Sequence, residues 1–252
     1  MNDSPYTHSD RTWPLPRTPW AMRMGWHDLL FAHWPVDAQS LRAIIPEPLE
    51  LDLYDGQAWI GVVPFRMSDV APRCIPALPG ISAFPELNVR TYVTYDGKPG
   101  VWFFSLDAAN RLAVRAARLA FALPYMDAEM SLRIDNGTYQ YSSHRTHRGE
   151  PPARFIASYQ PQGPVWHAQP ATLEHWLTAR YCLYSSRWRK QGDAASPIYR
   201  GEIDHDPWPL QNATCRISEN TLCDPIGLPL PGDPHLLFVK DIHVHAWWIH
   251  KI

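Results

Sequence analysis

The chain has 252 residues, 45% hydrophobic and 19% charged, with a formal net charge of -2. It is long enough to bury a core without staples and too apolar for disorder, and it lacks the concentrated basic surface of a nucleic-acid binder. Its 12 Trp, 11 Tyr and 26 Pro favour short strands and restrained loops over long helices.

The four cysteines, Cys74, Cys182, Cys215 and Cys223, show no Cys-x-x-Cys spacing. That suits free thiols in a reducing compartment better than a zinc site or a disulfide framework. Residues 1–19 are polar and Pro-rich, without the apolar core of a secretory signal. No window reaches the roughly 18 apolar residues of a transmembrane helix. The expectation is a cytoplasmic protein with a loosely held arm over 1–19, one domain over 20–252, and no membrane or nucleic-acid partner.

In chain order, 22–34 reads as a strand ended by Pro35. Asp37 is placed to cap a short helix through residue 45, which Pro46-Glu47-Pro48 stops. A Tyr54-Asp55-Gly56 turn then precedes an apolar strand over 58–65. A Pro-rich loop over 73–85 leads into a hairpin, 86–95 against 100–108, with 96–99 as its loop. Asp107 is read as the N-cap of a helix over 108–122. Asn136-Gly137 marks a further hairpin turn, and 154–159 a further strand. Leu173, Trp176, Leu177, Tyr181 and Tyr184 recur at helical spacing, which predicts a second helix over 173–184. Strands over 198–203 and 236–247 complete the set. The predicted fold class is α+β: a strongly curved antiparallel β-sheet, forming a barrel or cone, with two main helices packed on it.

Several blocks carry a family resemblance: FAHWPV (31–36), LD (51–52), AWIGVVPF (58–65), ELNVRTYV (86–93), GVWFFSLD (100–107), LPY (123–125) and PWPLQ (207–211). In this order they resemble the YqjF-like family of bacterial proteins, and the resemblance covers nearly the whole chain. That family is similar, more distantly, to acetoacetate decarboxylases, through PEPLE (46–50) and the hairpin-then-helix order. The resemblance implies a central cavity and often a homo-oligomer. Such decarboxylases use a lysine, activated by a second lysine, to form a Schiff base. The matching stretch here, Pro124-Tyr125-Met126-Asp127, has no lysine, so imine chemistry is not expected from it.

Alternation along 86–93 puts Glu86, Asn88, Arg90 and Tyr92 on one strand face. A four-residue hairpin loop would set Arg90 opposite Ser105 and Asn88 opposite Asp107. The patch is then either a solvated outer face or the wall of a cavity, and the resemblance, whose decarboxylases place a glutamate and an arginine in theirs, favours the cavity. Arg90 suits a carboxylate or carbonyl oxygen through forked hydrogen bonds, with Asn88, Ser105, Tyr125 and Trp208 as further ligand-binding candidates. Glu86 and Asp107 are the candidates for acid–base catalysis. Only four lysines occur, and of these Lys240 alone shares the parity of an apolar strand face. His243 and His245, and His144 and His147, are paired without a full ligand set, so no metal is expected. The chain carries no Gly-x-Ser-x-Gly, Gly-x-Gly-x-x-Gly or P-loop pattern, and no cofactor is expected. Three readings follow. The first is binding of a small apolar or aromatic carbonyl or carboxylate compound. The second is an enzyme using Glu86 or Asp107 with Arg90 on a carbonyl compound, and the third a non-catalytic interaction scaffold.

Overall fold

The computed structural model describes residues 10–186 and 196–252. Residues 1–9 of the expected arm, and Lys190, lie outside the described residues. The fold is α+β and dominated by one 13-stranded sheet.

The long strands are β1 (Met22–Val36), β3 (Ala58–Pro72), β4 (Phe84–Tyr95) and β5 (Lys98–Ala108), with a short β2 (Glu50–Leu51) between the first two. Then follow β6 (Tyr125–Asp135), β7 (Thr138–Arg145), β8 (Arg154–Trp166), β9 (Cys182–Ser186) and β10 (Ile198–Asp204). β11 (Leu210–Asn220), β12 (His235–Ala246) and β13 (His250–Lys251) complete the sheet. The pairing runs β5-β6-β7-β8-β11-β12-β1-β3-β4, and β4 pairs back onto β5, so the sheet returns on itself as a ring. Most pairs are antiparallel, as expected from the hairpin turns. β5 departs from this: it pairs in parallel with both β6 and β9.

Both faces of the central strands are buried, which is why their sequences read as apolar runs rather than clean alternations. Leu30 and Ala32 of β1, Ile60 and Val62 of β3, and Leu87 and Val89 of β4 join one core. Leu29 and Phe31, Val63 and Phe65, and Leu106 of β5 join the other. Each such side chain, removed from water, stabilises the fold by about 1.5–3 kcal/mol.

Among the described residues three α-helices accompany the sheet: α1 (Ala38–Arg42), α2 (Arg111–Phe121) and α3 (Leu173–Thr178). Asp37 caps α1 as expected, its carboxylate accepting from Ser40 N at 2.7 Å. The cap of α2 is Asn110 rather than Asp107, accepting from the amides of Leu112 and Ala113 at 3.0 and 3.1 Å. Asp107 stays in β5, held by an ion pair to Arg145. The helix predicted over 173–184 stops at Thr178, because Cys182–Ser186 is drawn into the sheet as β9. The strand β11 has no counterpart in the sequence reading; its burial alternates strictly, but its apolar residues are small or few.

Candidate functional site

The 86–108 hairpin decides which side chains meet. Its turn is Asp96-Gly97, both at positive φ, 52° and 68°, with Tyr95 opposite Lys98. That two-residue form suits the strand twist. A bulge then intervenes between Val89 and Arg90, so Arg90 faces Phe103 whereas Val89 faces Ser105 and Leu87 faces Asp107. One extra residue in β5 turns everything beyond it to the other face.

The expected patch is therefore divided. Glu86, Asn88 and Arg90 line one cavity of about 320 Å³, together with Tyr125 and Trp208. Its other walls are mostly apolar, from β1, β3, β5 and the alanines of α2. Ser105 and Asp107 are not brought to it. Both are buried against Arg145, whose Nε donates to Asp107 and whose Nη2 donates to Ser105, each at 2.8 Å. Ser105 and Arg145 line a second cavity of about 560 Å³ instead. Burial pushes the Asp107 pKa up, and Arg145 pulls it back.

Within the first cavity Glu86 is 2% exposed. Tyr125 donates its phenol proton to Glu86 Oε2 at 2.8 Å, and Tyr141 donates to the Glu86 carbonyl at 2.7 Å. Burial pushes the Glu86 carboxyl up to about 8, only partly offset by the hydrogen bond from Tyr125. At neutral pH this carboxyl is protonated.

Arg90, 8% exposed, has its guanidinium 5.1 Å from the Phe31 ring and 5.9 Å from the Tyr92 ring. Its Nε has no hydrogen-bond partner, and among the described residues no carboxylate pairs with it. Arg180, placed by the end of α3, stands 4.9 Å from the same Tyr92 ring. It pairs with Asp52 and donates to the Trp176 carbonyl, yet its Nη2 is also unpartnered. Two buried guanidiniums thus stand at this end of the cavity, and of the two Arg180 alone is paired with a carboxylate, Asp52. Tyr92 hydrogen-bonds His33 Nε2 at 2.6 Å, and burial with Arg90 nearby pushes the His33 pKa well down, so the imidazole is neutral. Gly61 makes room here: a Cβ on it would lie 2.9 Å from the His33 ring and 3.5 Å from Arg90 Cγ.

Trp208 is fixed by its indole donating to the Thr178 carbonyl at 2.9 Å and by a stack on Trp26. Asn88 lies between Glu86 and Arg90, its Oδ1 unpartnered. Among the described residues no lysine lines this cavity. Lys240 sits outside, its side chain 59% exposed, bound to the buried Asp28 and to the Tyr139 hydroxyl. Among the described residues there is no group of three or more His, Cys, Asp or Glu placed to hold a metal.

The model of the DUF2071 family, described as an uncharacterised conserved protein, matches residues 23–243. The chain belongs to the DUF2071 family. Its likeness to the uncharacterised protein YqjF of Bacillus subtilis (strain 168) is 47% identity over 233 residues, 92% of this chain and 93% of that one. In structure, this DUF2071 protein is similar to acetoacetate decarboxylase from Legionella pneumophila, with a TM-score of 0.62 at 14% identity, covering 96% of this chain and 93% of the other. It is also similar to the enduracididine biosynthesis enzyme MppR complexed with pyruvate, with a TM-score of 0.63 at 12% identity over 93% and 91% of the two chains. At such identities the likeness shows the acetoacetate-decarboxylase-like fold alone. No helix among the described residues is long and apolar enough to cross a membrane.

The sequence reading missed the partnership of Arg180 with Arg90. Arg180 reads from the sequence as a helix residue able to pair with a carboxylate, and Asp52 is that partner, but nothing local ties it to residue 90. Arg145 carried no signal either, because its partner Asp107 had been assigned to a helix cap.

Proposed function

We propose that this protein binds a small, largely apolar monoanion, a carboxylate above all, in the cavity walled by Glu86, Asn88, Arg90, Tyr125 and Trp208. The ligand lies between the sheet face that carries Glu86, Asn88 and Arg90 and the alanines of α2. The observation that carries the proposal is the state of Arg90: a buried guanidinium, lining an apolar cavity, with an unpartnered Nε and, among the described residues, no carboxylate paired with it. A charge held this way is costly unless something neutralises it. A ligand carboxylate supplies both the charge and the two acceptor oxygens that a guanidinium fork matches. The apolar walls supply affinity and exclude water, which strengthens that contact.

The lysine-dependent route is absent from this reading. Tyr125 stands in the stretch that resembles the decarboxylase lysine segment, and its hydroxyl is committed to Glu86.

A second reading, acid–base chemistry on the bound carbonyl compound, is favoured by the Glu86–Tyr125 pair. A carboxyl near 8 donates a proton to a carbonyl oxygen at neutral pH and accepts one above it. Asp107 takes no part, since it faces away from the cavity.

The proposal is tested by thermal shift with matched pairs of apolar carboxylic acids and their methyl esters. The acids stabilise the protein, the esters do not, and Arg90→Met responds to neither. Equal shifts from acid and ester would remove Arg90 from the account.

A further inference from the structure

The cavity has its ionisable groups at two separate places, with mostly apolar walls and the amide of Asn88 between them. Along β4, Glu86 and Arg90 share a face with their Cα atoms about 13 Å apart, at ~3.3 Å per residue. At one end stand Arg90 and Arg180, each with a nitrogen lacking a partner. At the other stands the Glu86 carboxyl, with Tyr125 on Oε2. Between them the opposing strand contributes Leu106, opposite Asn88, and Phe103, opposite Arg90.

Building on the anion-binding reading above, the geometry points to a ligand that is polar at both ends. A monoanionic group sits at Arg90 and Arg180, and a neutral hydroxyl or carbonyl sits at Glu86 and Tyr125. An apolar body joins the two along β4.

The charges set the two ends apart. Two guanidiniums against the one carboxylate of Asp52 leave a single positive charge to neutralise at the arginine end. At the glutamate end, a second anion would lie against a carboxyl, and a cation would require that carboxyl to ionise among Leu106, Phe65 and Met67. A neutral oxygen meets neither penalty, since it accepts from a protonated carboxyl or donates to its oxygen. Burial also favours the protonated form of Glu86. A plain fatty acid would satisfy the arginines and leave the Glu86 carboxyl facing hydrocarbon, forgoing one buried hydrogen bond.

The test is calorimetric titration of the full chain with octanoate, ω-hydroxyoctanoate, ω-aminooctanoate and octanol. On the wild type, ω-hydroxyoctanoate binds about tenfold more tightly than octanoate, the value of one buried hydrogen bond. In Glu86→Leu/Tyr125→Phe, which removes both polar partners together and leaves no orphan, that advantage disappears and the two acids bind alike. Arg90→Met loses both acids. Three outcomes overturn the two-ended ligand: octanoate and its hydroxy form binding equally, the amino form binding best, or the advantage surviving the double variant and vanishing in Asn88→Leu. In each of these octanoate still depends on Arg90, so the anion site stands. If none of the acids binds, or octanol binds as well as octanoate, the anion site fails as well.

Discussion

Tyr125 donates a hydrogen bond to Glu86 at 2.8 Å inside a largely apolar cavity, and the two residues come from strands that are not neighbours in sequence. The pair fixes the orientation of the buried Glu86 carboxyl in the first cavity, and its burial makes that carboxyl a pH-dependent element of stability. The folded-state pKa of Glu86 lies near 8, above its ordinary value of 4.5. Between these values the unfolded chain has lost the proton and the folded chain keeps it, so stability falls as pH rises through the window. Glu86→Gln removes this contribution. Urea unfolding from pH 5 to 8.5 is expected to show the wild type losing on the order of 5 kcal/mol more than the variant. Parallel curves would mean that Glu86 is hydrated and ionised.

Arg90 is held at the expense of stability. Replacing a buried, unpaired charge by an apolar side chain of similar length is expected to raise the apo protein's unfolding free energy by about 1–3 kcal/mol while abolishing carboxylate binding. Chemical denaturation of Arg90→Met and the wild type, with and without ligand, checks both halves. A variant less stable than the wild type would show that the guanidinium has structural partners.

Asp107 and Arg145 behave in the opposite way. They form a buried ion pair at 2.8 Å with Ser105 on the same guanidinium. Arg145→Met strands a carboxylate whose Oδ2 is already unpartnered, at a cost of about 3–5 kcal/mol. Asp107→Asn, which keeps the shape, is expected to leave carboxylate affinity unchanged, because the residue is bound to Arg145 and does not line the first cavity. A large loss of affinity in folded Asp107→Asn would return this residue to the ligand site.

The roof of the first cavity is built of small side chains, among them Ala113, Ala117 and Ala120 of α2. Ala117→Phe fills space that the ligand's apolar body would use. It is expected to weaken phenylbutyrate binding at least about tenfold, with the melting temperature within a few degrees of the wild type. Tight binding by this variant would place the ligand away from α2.

Much of this was readable from the sequence, for identifiable reasons. Alternation put Glu86, Asn88 and Arg90 on one face, and that grouping is seen in the structure because nothing interrupts β4 between them. Ser105 and Asp107 were assigned by counting back from the turn. An error of two residues in the loop would not have mattered, since it preserves the face. The bulge beside Phe103 and Phe104 did matter, since one residue reverses it, and nothing in the local sequence marks it. The second helix was over-extended because Tyr181 and Tyr184 fit a helical repeat, yet both are buried by neighbours that only the closed sheet supplies. Strand β11 was missed because Asn212, Thr214, Arg216 and Ser218 alternate with too little apolar bulk to stand out. The approach of Arg180 to Arg90 across Tyr92 depends on the parallel pairing of β9 with β5, which no local pattern reports.

A crystal structure of the protein grown with phenylbutyrate tests the central claim most directly. The account predicts one ligand per chain, its carboxylate within ~3 Å of Arg90 Nε and its phenyl ring enclosed beneath α2. Density for the carboxylate beside Arg145 in the second cavity, or on the protein surface with the first cavity filled only by ordered water, would contradict it.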